Sequence, residues 1–417
     1  ANLKYSFIRG ALKETLVLSD NSHHPDKATK IDNILTNKWL GFPILIIFLY
    51  LMFQATFSLG AYPQEWIETG VELLGNWLSE VLPAGVFNDF IVEGLVAGAG
   101  GVIVFLPNIL ILFFFISLME DTGYMARATF ILDKLMHKIG LHGRSFIPLL
   151  TGFGCSVPAL MACRTVENKK DRILTMLIIP FMSCSAKLPV YLLLVSAFFT
   201  KHQGLILLSI YMIGIVIAIL VALVLKNTVF KKSSEHFVME LPPYRIPTLK
   251  GILIHMWEKS SHFLKKAGTI ILGVCIAVWI LTNLPAGAAQ DKTILGRLGS
   301  LIAPIFKPAG FGTWQAGVAL ITGFAAKEAV VGTFGTIYGV DEGVHLFHAI
   351  QNTFTPLTAM SFMVMCLLYV PCVATIGAVK SETNSSKWAW AAVGYTCVIG
   401  WICAVIVYQV GRLMGFV

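Results

Sequence analysis

Apolar residues along this chain gather into long, nearly unbroken runs, and the polar residues fall into the stretches between them. A helix that crosses a bilayer needs about 20 apolar residues. About seven segments approach that length: 40–57, 94–119, 173–199, 205–225, 267–284, 356–379 and 388–410. Each reads as a helix, because backbone groups inside hydrocarbon must find their hydrogen bonds within their own segment. Two further apolar stretches, around Leu149 and Leu320, read as re-entrant hairpins. The expected fold is therefore an all-α polytopic membrane protein with about seven transmembrane helices and two hairpins. Amphipathic stretches before each hairpin, 131–138 and 295–307, are expected near the interfaces.

The hairpin segments are nearly duplicates. Leu149-Leu150-Thr151-Gly152-Phe153-Gly154-Cys155 reappears as Leu320-Ile321-Thr322-Gly323-Phe324-Ala325-Ala326. Each is followed by an apolar run broken at a proline, Ile179-Pro180-Phe181-Met182-Ser183-Cys184-Ser185 and then Val370-Pro371-Cys372-Val373-Ala374-Thr375. Interrupted hydrophobic segments at corresponding places in two halves point to a carrier's substrate site. With three full spans per repeat, an odd number, the second repeat is expected to be inverted relative to the first.

Composition agrees, with 56% hydrophobic and only 13% charged residues, a balance that excludes a soluble globular domain. The charges then suggest sidedness. Lys27, Lys30 and Lys38 precede the first span, and basic residues crowd 127–172 and 226–266, so these segments are expected in the cytoplasm. Residues 39–126 carry no Lys or Arg but do carry Glu65, Glu68, Glu72, Glu80, Asp89 and Glu93, which are placed outside. Asp341–Thr355 is likewise expected outside, and Lys380 and Lys387 inside. The C-terminus then falls outside. No aromatic-interleaved basic patch supports nucleic-acid binding, and eight cysteines without a CxxC pair argue against a disulfide framework.

The breaks carry the candidate chemistry. A proline within a span removes a donor and frees carbonyls, which hydrocarbon tolerates only where they line a cavity or bind something. Cys155, Cys184 and Cys372 each lie near a break, beside Met182, Ser183, Ser185 and Thr375. Thiolate and thioether are soft ligands that suit a transition metal and serve Na⁺, Mg²⁺ or Ca²⁺ poorly. Cys163, Cys275, Cys366, Cys397 and Cys403 read as packing residues. Glu328, in the second hairpin, is a further candidate ligand unless adjacent Lys327 neutralises it. Glu120 and Asp121 close the second span, with Arg127 as an expected partner. Lys187 places positive charge beside this cluster without an evident reason. His345 and His348, near Asp341 and Glu342, are either a solvated pair or an outer metal-collecting site.

Several of these strings together resemble the membrane domain of FeoB, the prokaryotic ferrous iron transporter family. They are Met119 to Arg127 (MEDTGYMAR), Gly152 to Pro158 (GFGCSVP), Pro180 to Pro189 (PFMSCSAKLP), Lys327-Glu328, and Tyr369-Val370-Pro371-Cys372. The resemblance covers almost the whole chain. It implies two gate repeats, Fe²⁺ import across a bacterial inner membrane, and Cys155, Cys184 and Cys372 as pathway residues. The organisation expected from it is a cytoplasmic linker at 1–38, a first span and outer amphipathic segment at 39–90, gate repeat 1 at 91–226, a cytoplasmic loop at 227–266 and gate repeat 2 at 267–417. FeoB proteins normally begin with a GTP-binding domain, whereas this chain has no Gly-x-x-x-x-Gly-Lys-Ser/Thr. GTP and Mg²⁺ are therefore expected on a separate or missing unit, with no cofactor in this chain. The bilayer, Fe²⁺, that GTPase unit, small accessory iron-transport proteins and further copies of the chain are the expected partners. Two other readings remain: a nucleoside-type carrier of the same architecture, and a membrane cysteine enzyme, which lacks a nearby His base.

Overall fold

The structure, a computed structural model, describes residues 27–37, 39–83, 85–199, 201–230, 244, 247–285, 289–339 and 344–415, and among these there is no strand. The pair Asp341 and Glu342 lies outside the described residues, as does the His345 side chain, so the outer metal-collecting reading has no structural counterpart. Helix α1 (Lys27–Leu35) leads into α2 (Gly41–Val81), a single helix that runs through Pro63. Its 41 residues rise about 62 Å at 1.5 Å per residue, twice the hydrocarbon thickness. The outer amphipathic segment expected at Glu65 is thus a continuation of the first span, carrying exposed Trp66 and Trp77.

A short helix at Val86–Asp89 passes through a π-helical turn into α3 (Ala97–Val104) and α4 (Leu106–Asp121). After Gly123, whose φ of +78° suits glycine, α5 (Tyr124–Lys138) supplies the amphipathic helix before the first hairpin. That hairpin is α6 (Phe146–Thr151) and α7 (Ser156–Ala162). The first broken span is α8 (Lys169–Ile178) and α9 (Leu188–Phe198), followed by α10 (Gln203–Thr228).

The second half repeats this order. Helices α11 (Leu249–Phe263) and α12 (Thr269–Asn283) flank a π-turn, and α13 (Ile294–Phe306) precedes the hairpin of α14 (Trp314–Ala325) and α15 (Ala329–Tyr338). Helix α16 (Val344–Gln351) leads to the second broken span, α17 (Pro356–Leu368) and α18 (Val373–Thr383), and then to α19 (Ser386–Leu413).

Six described helical segments are long and apolar enough to cross a membrane, one fewer than expected. In the seventh, around 267–284, α12 continues from α11 through the π-turn at Leu264–Gly268, and its described apolar part includes Ile271–Asn283.

Side-chain bonds show which loops share a side. Arg127 donates to Asp32 at 3.0 Å, and the Tyr244 hydroxyl donates to the same carboxylate at 2.6 Å. Arg164 forms a two-pronged pair with Glu382 at 2.6 and 2.8 Å. These contacts bring residues 32, 127 and 244 together in one group and 164 and 382 together in another. Both groups lie in segments that the charge pattern expects on one side. At the other end the Gln351 side chain donates to the Ala197 carbonyl, placing 197 and 351 together.

Both repeats use glycine to let a long helix cross the break. A Cβ on Gly214 of α10 would lie 2.8 Å from the Phe181 carbonyl, and one on Gly400 of α19 would lie 2.9 Å from the Tyr369 nitrogen. Within the hairpins, a Cβ on Gly152 would meet Met182 at 3.2 Å, and one on Gly323 would run into the Tyr369 hydroxyl. The duplicated Thr-Gly-Phe string is therefore the part of each hairpin that packs on a broken span.

Candidate functional site

Where the two hairpins and two broken spans meet, the chain leaves a cavity of about 410 Å³. Cys155, Cys184, Cys372, Ser185, Lys327 and Glu328 all line it. The remaining wall is mostly apolar, built from α2, α3, α4 and α12.

Backbone geometry explains why these residues converge. Cys155 is extended, with φ −152° and ψ 134°, and immediately precedes α7. Cys184 (φ −75°, ψ 162°) precedes the short 3₁₀ turn that opens α9, and Cys372 (φ −57°, ψ 155°) precedes α18. Glu328 holds the same position before α15. Three thiols and one carboxylate thus occupy the N-terminal ends of half-helices. The first N–H groups of a helix lack internal partners and set up a partial positive potential, which suits an anionic side chain and leaves a bare cation dependent on one. The three thiols also lie within electrostatic reach of one another, and Cys155 and Cys372 within reach of Glu328.

The first hairpin is tied directly to the first broken span. The Ser185 backbone N–H and hydroxyl both donate to the Gly154 carbonyl, at 3.1 and 2.9 Å. That carbonyl is fully used. The Cys372 sulfur contacts the Thr375 hydroxyl at 3.1 Å. Thr375, Met182 and Ser183 are buried behind the wall and do not line the cavity, so three candidate pathway residues support the wall from behind.

The freed carbonyls have an unexpected partner. Lys187, only 4% exposed, donates through Nζ to the carbonyls of Pro180 at 3.2 Å, Met182 at 3.1 Å and Leu367 at 2.7 Å. Leu367 lies four residues before Pro371, whose nitrogen has no hydrogen to give it. A lysine of repeat 1 therefore stands in for the donor that a proline removed from repeat 2. A second bond crosses the repeats the other way, from the Tyr395 hydroxyl of α19 to the Leu177 carbonyl beside the first break. The three carbonyls at Pro180, Met182 and Leu367 thus bind Lys187 and do not line the cavity.

The other charges also pair differently than the sequence suggested. Lys327 is not ion-paired with Glu328; its buried Nζ has no hydrogen-bond partner and rests 3.2 Å from the centroid of the Tyr369 ring, a cation–π arrangement. Glu120 pairs with Lys259 at 2.9 Å and Asp121 with His255 at 3.5 Å, both on α11. Arg127, their expected partner, instead bonds Asp32 and the Gly123 carbonyl and packs against Tyr244. That guanidinium holds the Asp32 carboxyl below the usual carboxylate range.

Sequence reasoning missed Cys275 on α12, which lines the cavity and lies within electrostatic reach of Glu328. Asn108 and Thr56 also reach the wall. Nothing in the local pattern distinguishes Cys275 from the packing cysteines; only the approach of α3 at Gly98 places it there. All eight cysteines are free. Among the described residues no group of three or more His, Cys, Asp or Glu is close enough to form a ready-made metal centre. The arrangement is a cavity with sulfur and one carboxylate among its lining groups.

Comparisons with known proteins agree with this architecture. A family model described as "Gate: Nucleoside recognition" matches residues 102–198 and 264–386, and one described as "Ferrous iron transport protein B C terminus" matches 207–259. An Fe(2+) transport protein A/Fe(2+) transporter FeoB fusion protein of Porphyromonas gingivalis is 44% identical over 98% of this chain and 54% of its own length. The Fe(2+) transporter FeoB of Staphylococcus aureus is 44% identical over 97% of this chain and 63% of its own. The Fe(2+) transporter FeoB of Campylobacter jejuni is 39% identical over 95% and 68%. The chain thus spans between about half and two thirds of these relatives' lengths. No solved structure matches.

Proposed function

The chain belongs to the FeoB family, and from that membership we propose that it conducts Fe²⁺ into the cytoplasm through the cavity between the two hairpins. The observation that carries the reading is the convergence of Cys155, Cys184, Cys372 and Glu328 on one cavity from four separate helix breaks. Fe²⁺ is a borderline ion that accepts sulfur and carboxylate together. Separate ligands along a wall favour brief, sequential contacts, which conduction needs if the ion is also to leave.

The roles follow from position. Cys155 and Cys184, joined through Ser185 and Gly154, form one side of the passage; Cys372 and Glu328 form the side contributed by repeat 2. Ser183, Met182 and Thr375 hold these thiols in place. The segments that carry residues 32, 127, 164, 244 and 382 are cytoplasmic, in a bacterial inner membrane. A GTPase unit linked before α1 gates the passage, and small accessory iron-transport proteins assist it, as the fusion architecture of the P. gingivalis relative suggests. The membrane potential alone is a sufficient driving force. Two charges moving through 100 mV release about 4.6 kcal/mol, enough for accumulation on the order of a thousandfold.

The "Nucleoside recognition" description of the matching gate model raises a nucleoside carrier as a second reading. Such a cargo calls for amide and carboxylate partners at the breaks, where this chain presents thiols. ⁵⁵Fe²⁺ uptake into proteoliposomes tests the choice: Cys155→Ser and Cys184→Ser should each reduce flux at least tenfold, and Glu328→Gln should weaken apparent affinity. Full flux in both serine variants removes sulfur from the mechanism. Nucleoside uptake by wild-type protein would replace the reading altogether.

A further inference from the structure

Lys187 poses a problem for any cation pathway. It places a positive charge one residue behind the wall that carries Cys184 and Ser185, and electrostatics alone would remove it. Its bonds supply the explanation. A proline break exposes carbonyl oxygens, and clustered carbonyls are the ligands by which a pore strips water from a hard monovalent ion. Here the carbonyls of Pro180, Met182 and Leu367 converge from both repeats on one point, and an ammonium occupies it, at 2.7 to 3.2 Å from all three. Three acceptors take all three N–H groups of the side chain.

Resting on the reading that the cavity carries Fe²⁺, we propose that Lys187 is the specificity-determining residue that excludes hard cations. It fills, permanently and from within, the oxygen cage that the two proline breaks would otherwise offer to Na⁺ or K⁺. On the adjoining cavity wall, otherwise mostly apolar, the candidate ligands include four sulfurs, those of Cys155, Cys184, Cys372 and Cys275, with the Glu328 carboxylate. A thiophilic dication recovers its dehydration cost there through sulfur ligation, and a hard ion does not. Lys187 touches neither the ion nor the thiols. It acts by occupying oxygens, and it also locks the two breaks in register.

The test compares ²²Na⁺ and ⁵⁵Fe²⁺ uptake into proteoliposomes for the wild-type chain, Lys187→Ala, Lys187→Gln and Lys187→Arg, each checked for monodispersity and thermal unfolding. Lys187→Ala empties the cage beside the cavity and should raise Na⁺ uptake at least tenfold, collapsing the Fe²⁺/Na⁺ ratio. Lys187→Arg, which keeps charge and donors, should stay tight. Lys187→Gln keeps two N–H donors on a shorter stem and should leak to an intermediate degree; it carries the comparison if the alanine variant does not fold. A merely structural lysine would lower stability and Fe²⁺ flux without opening a Na⁺ path. Folded Lys187→Ala or Lys187→Gln protein as tight to Na⁺ as wild type overturns the proposal. Wild type that moves no Fe²⁺, with a Na⁺ leak still opened by Lys187→Ala, overturns the iron reading and leaves the role of Lys187 standing.

Discussion

If the cavity is the passage, filling it must stop flux without harming the fold, and two glycines make that separation possible. Gly332 on α15 and Gly101 on α3 both line the cavity, and a Cβ built at either meets no atom within 4 Å. A leucine brings four carbons, which occupy roughly 100 Å³ if each takes a little less than the 30 Å³ share of a water molecule. Against about 410 Å³, one leucine removes roughly a quarter of the space and the Gly101→Leu/Gly332→Leu pair roughly half. Both positions are inside helices, where replacing glycine should gain up to about 1 kcal/mol in backbone propensity. The double variant should therefore unfold no earlier than wild type while its ⁵⁵Fe²⁺ uptake falls at least tenfold. Gly394→Leu on α19 is the control, since it too meets nothing within 4 Å and lies off the cavity wall. Full uptake by a well-folded double variant would mean that iron crosses elsewhere, and the pathway reasoning would fail with it.

Further expectations follow from the same contacts. Gly214→Val and Gly400→Val force side chains into the Phe181 carbonyl and the Tyr369 backbone; each should cost about 1–3 kcal/mol in overpacking, read as a lower melting temperature, whereas an unchanged value would deny that the helices cross the breaks so closely. Arg127→Ala removes the link between α1 and α5 and should release α1, seen as faster hydrogen exchange over residues 27–35; unchanged exchange would show that Arg127 is not the anchor. Because Arg127 depresses the Asp32 carboxyl, the contribution of this pair is present above the unfolded carboxylate value of about 3.9 and is lost as pH falls through the lower folded value. Exchange over α1 should thus be flat from pH 5 to 8 and accelerate only in stronger acid; acceleration between pH 6 and 5 would contradict the assignment.

Much of this fold is written locally. Apolar run length places the spans, and the duplicated Thr-Gly-Phe strings with Pro180 and Pro371 mark the hairpins and breaks, because a missing backbone hydrogen is a property of one residue. Cys155, Cys184 and Cys372 were legible for the same reason: each stands beside a break, and a break puts its neighbour at a helix start. Run length does not reveal the joint before Leu284, where α12 continues from α11 through a π-turn.

What the sequence by itself determined is where the chain is interrupted and which chemistry sits beside each interruption. Only the tertiary structure decided what satisfies the freed groups. Lys187 and Leu367 are 180 residues apart, yet their bond decides that a carbonyl holds a lysine side chain and does not line the cavity. Lys327 turns to an aromatic ring although a carboxylate is its chain neighbour, and Cys275 reaches the cavity because a glycine helix lets α12 come close. A hydrogen-bond vacancy is a local fact, but the group that fills it is whichever one packing brings within about 3 Å, and that distance depends on the whole fold.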